Sequence, residues 1–554
     1  LYLQVANLDP ADPAWGDRDR IFWSVGHKAP SLYLGLGMAG FFPVEDTVTL
    51  RKFDSPFQGH PHWLKLPGVE ISSGSLGQGL SVGFGSALAA KLDKKDHYTY
   101  VFMGDGELQE GQIWEAAMAA GHYQLDHLIG IVDKNDLQID GRVCDVLNIE
   151  PLVDKWESFG WRVIELDGHD MQAIVDGFEE AKQLTGKPTV IIAKTIKGKG
   201  VDFIEDKAGW HGRSPTREEL DQALPQLGLA ELPDVEALLK KAAEFQVEVE
   251  SKIALQVPSY PRDYFWNKQQ TMQVDMKPTR MGFGGALKEY GGDERVVCLG
   301  MDISGSITID QFCKDNPERN ERFCSVGIAE QNGTAAAAGL ARAGKLPVIG
   351  TYGVFASGRA LDQIRTTLAY SEVDVLIAGA HGGISVGPDG ATHQALEEIA
   401  TIAAIPNMTL VVPVDSVETG RATHDLLFDI KGTKYLRFAR EATPIVTTHD
   451  TPFVIGKANV IRYRGEQPRF MDAFETTLAE TYTSENEQLC IISCGPEVTE
   501  AMRAAWMLKE EYGIETRILN MHTVKPLDRE AIIRAGLEIG TILTAEEHQV
   551  GGFG

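Results

Sequence analysis

The sequence predicts an α/β fold made of three doubly wound domains, each a mainly parallel sheet with helices on both faces. The chain has 554 residues, which is too long for a single hydrophobic core. Short apolar runs typical of buried strands alternate with stretches that have the pattern of helices. This alternation indicates parallel sheets that helices cover on both faces.

The first predicted domain spans residues 1–255. Its predicted strands are the apolar runs at 98–104 (YTYVFMG), 127–133 (HLIGIVD) and 189–195 (TVIIAKT), and LSVGFGSALAAKL has the pattern of a helix. Toward its end the composition changes. From about residue 213 the chain becomes rich in Glu, Lys, Leu and Pro, which indicates a helical connector followed by an extended linker up to about residue 275.

Two further domains follow, predicted at 276–450 and 451–554. The segment 464–487 breaks the strand-and-helix pattern of the third domain, and we expect it to be a surface insertion. The predicted strands of the two domains are VVCLGMD, LPVIGTY, VDVLIAG and TLVVPVD in the second, and LCIISCG, ETRILNM and GTILTAEE in the third.

The overall charge limits the classes of partner. The formal net charge is −27, and no Lys/Arg-rich run is present, which argues against nucleic acid or an anionic membrane as the main partner. No apolar run has the length of a membrane span, and no signal peptide is visible. We expect a cytoplasmic protein whose six scattered cysteines are reduced core thiols.

Polar residues follow two of the predicted strands of the first domain. Asp105 comes after YTYVFMG, and Asn135 comes after HLIGIVD. Ligands of an open parallel sheet bind at the carboxyl ends of its strands, so a carboxylate and an amide oxygen are expected side by side. With the carbonyl oxygen of Leu137 they would hold Mg²⁺ or Ca²⁺, and Gly104 and Gly106 would let the backbone approach a diphosphate.

The combination of Gly-Asp-Gly with an asparagine about thirty residues later resembles the signature of enzymes that bind thiamine diphosphate. In the form GDGELQEG and VDKNDLQIDG it resembles transketolases. Blocks similar to that family occur in order along essentially the whole chain: GHKAPSLY, FQGHP, PGVEISSGSLGQGL, KTIKGKG, WHGRSP, KPTR, GIAEQN, TYGVF, GPDGATHQ, LRFARE and KPLD. The three domains would then be the diphosphate-binding, pyrimidine-binding and C-terminal domains.

The resemblance implies thiamine diphosphate as cofactor, with Mg²⁺ or Ca²⁺ held by Asp105, Asn135 and Leu137. Glu330 would contact the pyrimidine ring and assist its activation. Phe355 would stack on that ring, and Tyr352 would line the same pocket. The cofactor-binding residues implied are Gly74, Ser75, Leu76, Gly104, Asp105, Gly106, Asn135, Lys197, His211, Glu330 and Phe355.

The resemblance also implies a site for sugar phosphates. Besides Glu330, the expected catalytic residues are histidines, which can move protons near neutral pH: His27, His60, His211 and His393. Arginine binds phosphate oxygens in a bidentate way, which favours phosphorylated sugars. The expected substrate-binding residues are His27, His211, Arg280, Ser306, His381, Asp389, His393 and Arg440.

The activity implied is the reversible transfer of a two-carbon glycolaldehyde unit between sugar phosphates by a homodimer with active sites at its subunit interface. The alternatives are a related enzyme such as 1-deoxyxylulose-5-phosphate synthase, a transketolase for an unusual sugar, and an E1-type subunit of a multienzyme complex. The family carries a further histidine in an SGHP-like block upstream of the first residue here, and we expect both ends of the sequence to be incomplete.

Overall fold

The computed structural model divides the chain into two compact units. The first unit contains residues 1–257, 327–329 and 388–392, and the second contains 258–326, 330–387 and 393–554. The residues that the structure describes are 1–183, 185–229, 233–266, 271–552 and 554.

A five-stranded parallel sheet forms the centre of the first unit. Its strand order is β1-β2-β3-β7-β6, and a separate two-stranded hairpin, β4-β5, follows β3. The strands of this unit are β1 Arg20–Trp23, β2 Thr99–Gly104, β3 Leu128–Lys134, β4 Leu137–Gln138, β5 Gly141–Arg142, β6 Arg162–Asp167 and β7 Thr189–Lys194.

Helices and loops cover both faces of this sheet. This is shown by alternate residues of its strands, which belong to two different apolar clusters. Val101 and Val132 belong to one cluster, whereas Tyr100 and Ile131 belong to the other. The helices of the unit are α1 Ala29–Met38, α2 Gly79–Leu92, α3 Gly111–His122, α4 Val143–Leu147, α5 Leu152–Ser158, α6 Met171–Gln183, α7 Arg217–Gln226 and α8 Val235–Ala254.

The last two of these helices lie within the predicted connector. Helix α7 begins with a capping box in which the Thr216 hydroxyl accepts from the Glu219 N–H and the Glu219 side chain accepts from the Thr216 N–H. Two parts of the predicted connector and linker, 230–232 and 267–270, lie outside the described residues.

The second unit contains two larger sheets and a short antiparallel pair, β8-β15. The larger sheets have the orders β10-β9-β11-β12-β14-β13-β20 and β17-β16-β19-β18-β21. The strands are β8 Met276–Pro278, β9 Val296–Gly300, β10 Phe323–Ser325, β11 Leu346–Tyr352, β12 Val375–Ala380, β13 Met408–Val411, β14 Thr433–Phe438, β15 Ala442–Pro444, β16 Asn459–Tyr463, β17 Phe474–Leu478, β18 Leu489–Ser493, β19 Thr516–Asn520, β20 Thr523–Lys525 and β21 Ile542–Ala545.

The α/β fold with helices around mainly parallel sheets is confirmed. Two strands of the larger sheets depart from the parallel arrangement: β20 runs antiparallel to β13, and β16 runs antiparallel to both β17 and β19. Two π-helical turns, Phe355–Arg359 and Gln363–Ala369, lie between β11 and β12. The α-helices are α9 Arg280–Tyr290, α10 Glu330–Arg342, α11 Glu398–Ala404, α12 Ser416–Phe428, α13 Glu497–Tyr512 and α14 Arg529–Glu538.

The prediction of a surface insertion at 464–487 is wrong. Within this segment β17 forms an edge strand of the sheet β17-β16-β19-β18-β21, called the third sheet from here on. Phe470 and Ala473 are buried in the apolar core. The segment reads as an insertion because it carries many polar residues. A half-buried edge strand needs few apolar ones.

The prediction of core cysteines is wrong for three of the six. Cys298, Cys490 and Cys494 are buried, but Cys144 and Cys324 are exposed and Cys313 is half-buried; all six are free thiols. Within the described residues, no helix combines the length and the low charge needed to cross a membrane.

Buried charge stabilises the third sheet. The Glu487 carboxylate, which is fully buried, accepts from the guanidinium groups of Arg462 on β16 and Arg517 on β19 and from the hydroxyl of Tyr482. Burial by itself raises the pKa of Glu487, but the hydrogen bonds from Tyr482 and Arg517 outweigh burial and lower it to about 2.

We predict that Glu487→Gln lowers the free energy of unfolding by about 3–5 kcal/mol, because two buried arginines lose their shared counter-ion. The wild-type contribution is present above the unfolded-state pKa of about 4.3 and disappears as the pH falls toward 2. Urea unfolding followed by circular dichroism measures the change. Glu475→Gln, which removes an exposed partner of Arg464, is the control and should shift stability by less than about 0.5 kcal/mol. Equal stability of Glu487→Gln and wild type would contradict the role assigned to this carboxylate.

Candidate active site

The carboxyl ends of β2 and β3 bring Asp105 and Asn135 together. One carboxylate oxygen of Asp105 accepts from the Gly106 N–H at 2.8 Å, and the other accepts from the Asp136 N–H at 2.5 Å. The amide oxygen of Asn135 accepts from the Leu137 N–H at 3.1 Å. The predicted carboxylate and amide oxygens therefore lie at one edge of the sheet, and the backbone of Leu137 contacts the amide oxygen.

The Asp105 carboxylate suits a divalent cation on electrostatic grounds. Its side chain is buried, and burial raises its pKa to about 6 in spite of the two N–H donors and the nearby Lys28 ammonium. A buried carboxylate is stabilised by a positive charge. Carboxylate, amide and carbonyl oxygens are the hard ligands that Mg²⁺ and Ca²⁺ prefer, so these residues fit such an ion.

Asp133 orients the amide of Asn135. The Asp133 carboxylate accepts from the Asn135 amide nitrogen at 3.3 Å, from the Lys28 ammonium and from the Thr195 hydroxyl. Because the amide nitrogen bonds to Asp133, the amide oxygen is directed away from that carboxylate. Sequence reasoning missed Asp133, Lys28 and Thr195, although Asp133 lies two residues before Asn135 on the same strand.

The glycine loop before α2 is attached to the Gly104-Asp105-Gly106 turn by a buried glutamate. The Glu107 carboxylate accepts from the Gly77 N–H at 2.7 Å, from the Gly104 N–H at 3.2 Å and from the Ser24 hydroxyl. Ser24 in turn accepts from the Gly79 N–H at 3.0 Å. Sequence reasoning missed Glu107; an acidic residue directly after a tight acidic turn is the signal that could have found it.

The predicted cofactor residues Gly74, Ser75 and Leu76 lie in this loop. A Cβ atom on Gly26 would lie 2.6 Å from the Gly74 nitrogen, so the loop that carries His27 packs directly on the glycine loop. Gly74 has a φ of +158°, and a Cβ there would lie 2.6 Å from the Thr392 hydroxyl oxygen. Only glycine allows this close approach of two backbone segments.

Three of the four predicted histidines lie in the first unit. The rings of His27 and His211 have their centroids 5.2 Å apart, and burial lowers the pKa of both, that of His211 to about 4. The nearby Lys197 and Lys28 ammonium groups lower both pKa values further. The buried Nδ1 of His211 has no hydrogen-bond partner among the described residues.

His60 and Asp389 also come together in the first unit. The Nδ1 atom of His60 lies 2.8 Å from the Asp389 carbonyl oxygen, and the Asp389 carboxylate contacts the Arg51 guanidinium at 3.1 Å. Burial lowers the pKa of His60. The amino group of Lys197 has its pKa lowered by burial and by Lys28, against the opposing charges of Asp133 and Asp105.

Glu330, Phe355 and His393 lie in the second unit. Glu330 is buried at the first turn of α10, and one of its carboxylate oxygens accepts from the Arg359 guanidinium at 2.9 Å. The ring of His393 stands edge-on to Phe355, with centroids 5.4 Å apart, and to Tyr352, at 5.7 Å.

Arg280, Ser306 and His381, which are predicted to bind a phosphate group, lie together in the second unit. A guanidinium nitrogen of Arg280 lies 3.2 Å from Nε2 of His381, and the hydroxyls of Ser306 and Tyr352 lie 3.2 Å apart. The Tyr352 ring stacks on His381 with centroids 4.7 Å apart. Burial lowers the pKa of Arg280, and the neighbouring charge of Arg440 lowers it further.

Three family profiles match the chain in sequence order, and together they span most of it. They are described as transketolase, thiamine diphosphate binding domain (residues 1–265), transketolase, pyrimidine binding domain (275–445) and transketolase, C-terminal domain (480–554).

The chain belongs to the transketolase family.

Similar members of the transketolase family are found in mammals. Human transketolase-like protein 2 is 34% identical over 560 residues, covering 100% of this chain and 83% of that protein. Rat transketolase is 34% identical over 552 residues, with 99% and 82% covered, and human transketolase is 33% identical over 560 residues, with 100% and 83% covered.

We predict that Asp105→Ala weakens the binding of thiamine diphosphate in the presence of Mg²⁺ by at least about 100-fold, because the variant lacks the buried carboxylate that would face the cation. Isothermal titration calorimetry with and without Mg²⁺ measures the change. Asp145→Ala, an exposed residue of α4, is the matched control. Magnesium-dependent binding of the same affinity in Asp105→Ala would exclude a cation ligand at this position.

A second prediction concerns Glu107. Glu107→Gln replaces one acceptor oxygen with an amide nitrogen, which cannot accept the N–H groups of Gly77 or Gly104. We expect the affinity for thiamine diphosphate to fall about 10-fold, since one lost hydrogen bond to a charged group costs about 1.5–3 kcal/mol. Tryptophan fluorescence titration measures the affinity, and Glu179→Gln on the exposed face of α6 is the control. Unchanged affinity would show that the loop keeps its conformation without Glu107.

Proposed function

We propose that this protein is a transketolase that transfers a two-carbon glycolaldehyde unit from a ketose phosphate to an aldose phosphate. Asp105, Asn135 and the Leu137 carbonyl would hold a divalent cation beside the diphosphate of thiamine diphosphate. Lys197, His211 and the glycine loop at Gly74 would bind the rest of that end. When bound, the cofactor supplies the chemistry that breaks and forms a carbon–carbon bond next to a carbonyl group.

The observation that supports this proposal best is a continuous series of contacts in the second unit. It begins at the pair Arg280 and His381, passes through Tyr352 and Phe355, and ends at Arg359 and Glu330. A cluster of Arg280, His381 and Arg440 suits the phosphate group of a sugar. Glu330 and Phe355 suit a protonated ring. A phosphate site and a ring site thus belong to one connected set of side chains.

The histidines of the first unit support proton transfer. Burial lowers the pKa of His27, His60 and His211, so all three rings are neutral at physiological pH. A neutral imidazole can accept the proton of a sugar hydroxyl as the adjacent carbon–carbon bond breaks, and it can return that proton in the reverse direction. His393, beside Phe355 and Tyr352, would hydrogen-bond the sugar chain, and Asp389 would bind a hydroxyl of the donor.

The proposal includes a homodimer in which the diphosphate site of one copy faces the pyrimidine site of the other. Size-exclusion chromatography with light scattering tests it. A mass of about twice the 60.6 kDa of the chain supports the dimer. A monomer that is active at the same dilution would contradict a shared site.

The activity is tested by incubating the protein with Mg²⁺, thiamine diphosphate, xylulose 5-phosphate and ribose 5-phosphate and measuring glyceraldehyde 3-phosphate. Product that needs the cofactor and disappears in Glu330→Gln supports the proposal. Pyruvate with glyceraldehyde 3-phosphate, in place of the two sugar phosphates, is the parallel reaction: release of CO2 with consumption of glyceraldehyde 3-phosphate would indicate the deoxyxylulose-phosphate synthase reaction. Cofactor binding without product from either donor would indicate a different sugar.

We predict that Arg280→Met raises KM for xylulose 5-phosphate about 10- to 100-fold, because the phosphate loses a charge-assisted hydrogen bond worth about 1.5–3 kcal/mol. The kcat/KM for the unphosphorylated ketose erythrulose should change less than about twofold. Arg295→Met, which removes an exposed arginine paired with Asp293, is the control. An equal loss with both ketoses would exclude a specific phosphate contact.

A further inference from the structure

Arg359 contacts both residues that are proposed to hold the pyrimidine ring. Its guanidinium donates to a carboxylate oxygen of Glu330 at 2.9 Å, and its central carbon lies 4.8 Å from the centroid of the Phe355 ring. The side chain of Arg359 is 9% exposed and that of Glu330 is 4% exposed. Because both side chains are buried, water cannot solvate the charge of either one if its partner is removed.

The backbone around Arg359 has an unusual conformation. Phe355 and Arg359 are the first and the last residue of a π-helical turn, a wide turn that is rare and often occurs at functional sites. This turn follows β11 directly, whereas Glu330 begins α10, which precedes β11 in the chain. One side chain therefore connects the starts of two helical segments that flank the same strand.

The ion pair with Arg359 involves one of the two carboxylate oxygens of Glu330. An ionised carboxylate has two oxygens with about four lone-pair sites, and the contact with Arg359 uses one oxygen. The N-terminal end of α10 also favours a negative charge at Glu330. The carboxylate is thus held in a defined orientation by a planar group that donates at defined angles.

We infer that Arg359 is a positioning residue that orients the Glu330 carboxylate toward the ring nitrogen of the cofactor and packs against Phe355. This inference rests on the proposed function, since it assumes that Glu330 and Phe355 bind the pyrimidine ring. It goes beyond that proposal because it makes the orientation of the Glu330 carboxylate depend on Arg359.

The test compares two ligands in equilibrium binding with the full chain and Mg²⁺. One is thiamine diphosphate, and the other is the analogue in which the ring nitrogen proposed to face Glu330 is replaced by CH. Wild type should prefer thiamine diphosphate. In Arg359→Met we expect that preference, the ratio of the two dissociation constants, to shrink at least fivefold, whereas the affinity for the analogue should change less than about twofold.

A purely structural role of Arg359 predicts a different result. A general loosening of the pocket would weaken both ligands by the same factor, and an unchanged ratio in Arg359→Met would therefore overturn the inference. The matched control is Arg342→Met, which removes an exposed arginine from the last turn of α10, the helix that begins at Glu330. This variant should leave both dissociation constants at the wild-type values.

A conservative variant keeps the inference testable if Arg359→Met does not fold. Arg359→Lys retains the charge but loses the planar group, so we expect a loss of about threefold in the same ratio, and thermal unfolding without ligand checks that the variant is folded. A wild-type ratio in a folded Arg359→Lys would contradict the orienting role. Failure of wild type to bind thiamine diphosphate would instead contradict the proposed function.

Discussion

The hydrogen bonds that the buried Glu107 carboxylate accepts are the interaction on which the site of the first unit depends. A buried carboxylate must be hydrogen-bonded, and Glu107 takes its donors from Ser24, Gly77 and Gly104, which lie far apart in the sequence. Asp105 immediately follows Gly104, so the bond that fixes the turn also fixes the proposed cation ligand. The Glu107 carboxylate fixes three segments relative to one another, because each donates a hydrogen bond to it: the end of β1, the glycine loop and the end of β2.

Buried charge organises the second unit by the same physical rule. The fully buried Glu398 accepts from the Tyr435 hydroxyl and from the Arg437 guanidinium at 3.0 Å. A Cβ atom on Gly353 would lie 2.3 Å from the Glu398 carboxylate, so this ion pair lies directly beneath the residue that follows Tyr352. The chain segment between Tyr352 and Phe355 therefore packs on a polar network in which each charged group has a partner.

The distribution of charge reconciles an acidic protein with anionic ligands. The chain carries a formal net charge of −27, yet Arg280 and Arg440 come together in one cluster and Lys28 and Lys197 in another. Charges farther apart than about 8 Å are largely screened at physiological ionic strength. A phosphate group in either cluster therefore responds to the nearby cations and only weakly to the acidic surface.

Much of the fold could be predicted from the sequence because buried parallel strands leave a local signal. The apolar runs that became β2, β3 and β11 are recognisable without any partner. The proximity of Asp105 and Asn135 also followed from the order of β2 and β3, since the carboxyl ends of neighbouring parallel strands meet at one edge. The segment 464–487 was misread because an edge strand with one exposed face resembles a polar loop.

The sequence by itself determined most element types and the family, because these depend on local pattern and on motifs in order. Only the tertiary structure decided which charges are paired: Glu107 with the glycine loop, Asp133 with Asn135, and Arg359 with Glu330. The reason is physical. The free energy of a buried charge depends on donors that folding brings from distant positions, and no local stretch of sequence records which donors those are.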